Sequence, residues 1–162
     1  MTSYEQLYIP FFNRIEKDAD FFDYYNLTKE EALEIAKSRT KGYLSEAVAI
    51  LRRHCSLDFE LKLDDDAEMI SADLTEDETN LIADLMYEVY LSRDISTLKS
   101  MVNALTSNDI KMLYSPANGR KTFMDMYSTL KYNNEVAMSQ YNAISRETGK
   151  RKLINYAKYE DS

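Results

Sequence analysis

A chain of 162 residues with 44% hydrophobic content is long enough for one domain with a real core and too short for two comfortable ones. Three glycines and two prolines are too few for a β-sandwich or barrel, which turns about every 8 to 12 residues, so helices are the expectation. The formal net charge is −8, with 19 acids against 9 bases in residues 1–80 and 9 against 11 in residues 81–162; Leu63 to Ser92 holds ten acids and no lysine or arginine, so that segment lacks the clustered positive charge that a general grip on nucleic acid needs.

The single cysteine, Cys55, excludes an internal disulfide, and no basic stretch followed by an apolar run and a cleavage site opens the chain, so a reducing compartment is expected. The longest aliphatic run, Ala47 to Leu51, falls far below the roughly 20 residues that cross a bilayer, and no membrane association is expected.

In chain order, Tyr4, Leu7, Tyr8, Phe11, Phe12 and Ile15 repeat at the spacing of one helical face. Pro10 lacks a backbone donor and should kink that helix or restart it. Asp18 to Asn26 reads as an aromatic-rich connection. Thr28 with Glu31 forms a capping box, opening a long helix whose stripe is Ala32, Ile35, Ala36, Tyr43, Ala47, Ile50 and Leu51, up to about Cys55. Gly42 costs that helix about 1 kcal/mol relative to alanine, which suggests a close helix crossing.

Phe59, Leu61 and Leu63 alternate with Glu60 and Lys62, the period of a short strand, but with no second alternating segment the piece reads as an irregular linker, or a strand whose partner lies on a neighbouring subunit. Thr75 with Glu78 is a second capping box, opening a helix that buries Leu81, Ile82, Leu85, Met86, Val89 and Tyr90. A separate short helix is expected through Ile95, Leu98, Met101, Val102 and Leu105, and another turn or two over Ser107 to Tyr114. Ser115, Pro116, Asn118 and Gly119 should break the chain before a last helix carrying Phe123, Met126, Tyr127, Leu130, Ala137, Met138, Tyr141 and Ile144, which Thr148 and Gly149 stop. Lys150 to Ser162 reads as a tail.

Little here points to catalysis. His54 and Cys55 are consecutive on a helix, so their side chains diverge instead of forming a thiolate–imidazole pair. A zinc site needs about four ligands of these kinds, and the chain has one of each. Asp64, Asp65 and Asp66 lack the alternating spacing, central glycine and closing glutamate of a calcium loop and read as a solvated acidic loop. Glycines at Gly42, Gly119 and Gly149 alone cannot form a phosphate loop. The expectation is no enzyme, no metal and no cofactor. Of the thirteen tyrosines, Tyr4, Tyr8, Tyr43 and Tyr90 fall on apolar faces, whereas Tyr132, Tyr156 and Tyr159 lie off them and are candidates for contacts between chains.

Four segments together carry a resemblance: Ser3 to Tyr8 (SYEQLY), Leu27 to Ala32 (LTKEEA), Asp73 to Glu78 (DLTEDE) and Leu105 to Asn118 (LTSNDIKMLYSPAN). Their order and spacing over residues 1–145 resemble the helical head-to-tail adaptor proteins of long-tailed bacteriophages. The chain departs from that family at Gly119-Arg120-Lys121, where the continuation is usually more apolar, and in a tail from Lys150 with its own sequence. The resemblance implies an all-α bundle of four to five helices acting by assembly. It implies a closed ring of about twelve copies below the portal protein, joined to a further neck or tail protein, with DNA only passing through.

The expected organisation is therefore a helical adaptor domain over 1–149 and a C-terminal arm over 150–162. Asp64, Asp65 and Asp66 are the candidate channel or solvent face, and Lys150, Arg151, Lys152, Ile154, Tyr156 and Tyr159 the candidate docking arm. The expected location is the virion neck, after assembly in the host cytoplasm. The alternative is an acidic DNA mimic, or another small helical inhibitor of a host protein.

Overall fold

A computed structural model describes residues 1–15, 28–104 and 116–152. The connection at Asp18–Asn26, the segment Ser107–Tyr114 and the arm residues Ile154, Tyr156 and Tyr159 lie outside the described residues. Among the described residues the chain is a bundle of four helices with a small sheet: β1 (Thr2–Ser3), α1 (Tyr4–Ile15), α2 (Lys29–His54), β2 (Leu63–Asp64), β3 (Met69–Ile70), α3 (Glu76–Ala104) and α4 (Pro116–Ala143). The all-α expectation holds for the body of the molecule.

Helix α3 is the central element, packed by α1, α2 and α4. Its face Leu81, Ile82, Leu85, Met86, Val89 and Tyr90 is buried throughout, as the 3 and 4 spacing requires. Against it lie Tyr4, Leu7, Tyr8, Phe11 and Ile15 of α1 and Tyr43, Leu44, Ala47, Val48 and Leu51 of α2. Phe11, Tyr43 and Tyr90, one from each helix, meet with ring centroids 5.8 to 6.3 Å apart in tilted or edge-on pairs, the arrangement that ring quadrupoles favour.

Several boundaries differ from those expected. Pro10 sits inside an unbroken α1, where the Arg14 guanidinium donates to the Pro10 carbonyl at 2.7 Å. Helix α3 runs on through Ile95 to Ala104 without the expected break, since Ser96 and Thr97 offer caps but no residue there forbids helical backbone. Pro116 opens α4 instead of preceding it, because proline at a first helical position sacrifices no hydrogen bond, and Asn118 and Gly119 lie inside the helix. Ile35, Met126 and Ile144, assigned to buried stripes by spacing, are exposed.

The bundle also carries a small sheet, which the all-α expectation did not include. β3 is the middle strand of an antiparallel sheet ordered β1-β3-β2, with Thr2 opposite Ile70, Ser3 opposite Met69, Leu63 opposite Ile70 and Asp64 opposite Met69. Phe59 to Lys62 form the irregular linker expected, and of the alternating segment only Leu63 enters a strand, whose partner is in the same subunit, not a neighbouring one. It left no sequence signal because two residues are too few to show a period.

Gly42 does not mark a tight crossing. A methyl group there would meet the Arg93 guanidinium nitrogens at 3.7 Å, an ordinary contact. That guanidinium lies 4.6 Å from the centre of the Tyr43 ring and pairs with Glu46. Gly42→Ala is therefore expected to raise stability by about 0.5 to 1 kcal/mol through helix propensity alone. A urea titration checks this, and a loss of stability would mean that the Arg93 side chain cannot give way.

Candidate functional site

Three features stand out: the acidic turn, a polar cluster at the start of α3, and the chain reversal after α4. Asp64, Asp65 and Asp66 occupy the end of β2 and the turn to β3, and all three are exposed. Their duties differ. Asp64 Oδ1 accepts the amides of Asp66 at 3.1 Å and Ala67 at 3.0 Å, which shapes the turn. Asp65 accepts the Tyr4 hydroxyl at 3.0 Å and pairs with Lys41 at 3.4 Å, tying the turn to α1 and α2. The Asp66 carboxylate has no partner among the described residues. Glu68 closes the turn in left-handed backbone (φ 50°), and its carbonyl receives the Tyr4 amide at 2.9 Å. Burial and then the Asp65 carboxylate push the Tyr4 phenol well above its ordinary range. Burial, with Glu68 and Asp65 nearby, pushes Tyr8 up to about 12.

At the second capping box, the Glu78 amide donates to Thr75 Oγ1 at 3.2 Å and Glu78 Oε2 accepts the Thr75 amide at 2.9 Å. Glu78 does more than cap. Its side chain is 2% exposed, and Oε1 accepts the Tyr141 hydroxyl and Arg146 Nε, both at 2.7 Å, while Arg146 Nη2 reaches Oε2 at 3.1 Å. Arg146 also donates to the Asp73 carbonyl and lies 4.4 Å from the centre of the Phe59 ring. Burial raises the Glu78 pKa, but Arg146, the Thr75 amide and the Tyr141 hydroxyl outweigh it and hold the carboxyl below its ordinary value. Burial and the bond to Glu78 push Tyr141 upward, and the same carboxylate raises Arg146. The capping signal was visible in sequence; the role of Tyr141 and Arg146 was not, because they lie 63 and 68 residues away.

Beside this cluster a cleft of about 490 Å³ opens between α3 and the end of α4, lined by Asp77, Glu78, Asp84, Gln140, Tyr141 and Arg146 among others. Asp84 pairs with Arg14 of α1 at 2.6 Å, and buried Asn134 donates to Glu88 at 2.9 Å and to the Asp84 carbonyl at 3.3 Å. No family model matches the chain, and no curated protein or solved structure matches it.

After α4 the chain turns back. Gly149 adopts left-handed backbone (φ 62°), which glycine accepts without strain. Ser145 N donates to the Lys150 carbonyl and Lys152 N to the Ala143 carbonyl, both at 2.8 Å, and Lys152 Nζ lies 3.6 Å from Asp58. The expected boundary at residue 149 is therefore displaced: Lys150, Arg151 and Lys152 belong to the folded body, because backbone groups of the reversal satisfy one another. Tyr132, a candidate for contact between chains, is 65% exposed. Among the described residues no group of His, Cys, Asp and Glu has metal-site geometry, and no helix is long and apolar enough to cross a membrane. Cys55 is buried with its thiol against the Met138 carbonyl, and burial pushes its pKa up.

Proposed function

We propose that this chain is a structural virion protein, a head-to-tail adaptor that forms a ring below the portal of a long-tailed phage and continues the DNA channel toward the tail. It acts without catalysis or cofactor, docks on the portal and on a further neck or tail protein, and touches DNA only in transit. The resemblance of the four segments motivates the reading. The observation that carries it is how the polar side chains between the elements are used: Glu78 with Tyr141 and Arg146, Asp84 with Arg14, and Asn134 with Glu88 fasten the fold together, which leaves recognition to the exposed surfaces. The alternative of a DNA mimic asks for carboxylates spread over a face at phosphate-like spacing, whereas Asp65, Glu78 and Asp84 are paired with Lys41, Arg146 and Arg14.

Native mass spectrometry of the full chain, alone and with the portal protein of the same phage, is the test. A closed oligomer that binds the portal is the expected result, and a monomer that ignores the portal overturns the reading. The arm is tested by deleting residues 153–162, which should leave folding and Tm unchanged but abolish incorporation into the neck. Cutting after Gly149 also removes the Lys150 and Lys152 backbone bonds and is expected to lower Tm as well, so comparing the two deletions separates docking from folding.

A further inference from the structure

The end of α2 carries Arg52, Arg53 and His54, all exposed. The C-terminal reversal brings Lys150, Arg151 and Lys152, also exposed, to the same end of the molecule. Asn142 joins the two segments, donating to the His54 carbonyl and accepting the Ser56 amide, both at 2.8 Å. Ala143, the next residue, accepts the Lys152 amide. Of these six cationic or titratable side chains, Lys152 pairs with Asp58, and the others have no carboxylate partner among the described residues.

The acidic turn lies elsewhere on the same helix axis. Lys41, which holds Asp65, precedes Arg53 by twelve residues of α2, an axial separation of about 18 Å. The two patches are too far apart to neutralise one another within a subunit, since ~8 Å is the screening length at physiological salt. That screening also reduces the long-range repulsion between two chains of net charge −8, so local complementarity decides close contact.

We infer that the basic patch formed by the end of α2 and residues 150–152 docks the acidic β2–β3 turn of a second copy of this chain. This rests on the assembly reading above and assigns its surfaces. Because the two patches occupy different places on the subunit, each copy uses one patch toward each neighbour. Such a contact is heterologous and generates a ring where the rotation between copies closes, as the assembly reading requires. A second copy is favoured over nucleic acid because its turn offers the exposed carboxylates of Asp66 and Glu68, complementary in charge to the patch, whereas six side chains in a chain of net charge −8 are a small footprint for gripping a phosphate backbone.

The test is a charge swap in the full chain, read by sedimentation velocity at ~0.15 M salt with circular dichroism as the folding check. Arg53→Glu with Arg151→Glu, and separately Asp66→Lys with Glu68→Lys, are each expected to weaken self-association about tenfold or more, and mixing the two variants is expected to restore it. Assembly of both variants like the unaltered chain overturns the docking assignment and leaves the ring reading standing. A monomeric unaltered chain overturns both. Binding of a labelled duplex that Arg53→Glu with Arg151→Glu abolishes, without loss of self-association, overturns the assignment in favour of a polyanion site.

Discussion

Glu78→Ala is expected to cost about 3 kcal/mol, because the substitution removes the carboxylate half of a capping box and, with it, a nearly dry acceptor of the Tyr141 hydroxyl and of two Arg146 nitrogens. Breaking a fully buried ion pair costs about 3 to 5 kcal/mol, and the lower end applies here because Arg146 is 31% exposed and regains water when released. At this chain length that corresponds to a fall in Tm of roughly 6 to 12 °C. Glu78→Gln keeps an acceptor for the Thr75 amide and loses the charge, so its cost should fall between zero and that of the alanine variant. Losses under about 1 kcal/mol for both variants in urea titrations would show that the cluster does not fasten α4 to α3.

The same cluster sets a pH dependence. The folded-state pKa of Glu78 is depressed below its ordinary 4.5, so the unfolded chain binds the proton more readily. Its stabilisation is complete above that value and is lost as the pH falls from 4.5 through the lower folded value. The acid limb of the stability curve should flatten in Glu78→Gln, and an unchanged limb would assign acid sensitivity to other carboxylates.

Leu85→Ala is expected to cost about 2 to 5 kcal/mol, since Leu85 is 0% exposed between Ile82 and Met86 on the face that α3 presents to its neighbours. Leu85 lies seven residues, about 10 Å, beyond Glu78 along the helix and shares no hydrogen bond with it. The two losses should therefore add within about 0.5 kcal/mol in the double variant. A loss below about 1 kcal/mol at Leu85 would place its side chain on a different face of α3.

What the amino-acid sequence determined by itself is local. Both capping boxes form between residues three apart, so Thr28 with Glu31 and Thr75 with Glu78 needed no tertiary context to be read. The buried faces of α1 and α3 followed from 3.6-residue periodicity for the same reason, and Tyr4, Tyr8, Tyr43 and Tyr90 are buried as their spacing implied. Periodicity does not say how far a helix is covered along its length. Ile35, Met126 and Ile144 kept the right spacing and stayed exposed, because among the described residues the core lies against other positions of their elements.

The tertiary structure alone decided what depends on contacts distant along the chain. The sheet joins residues 2–3 to residues 69–70, and no local pattern encodes a pairing two residues long. Glu78 read as a cap became the buried anchor of the chain end because folding delivers Tyr141 and Arg146 to it. Asp65 became a tether to α1 and α2 in the same way, which leaves Asp66 as the carboxylate of that triplet without a partner among the described residues. Lys150 to Lys152 looked like the start of a free tail because a stretch so short can bury no face of its own. Backbone hydrogen bonds to residues 143 and 145 hold it instead, and these depend on the reversal at Gly149, not on side-chain pattern.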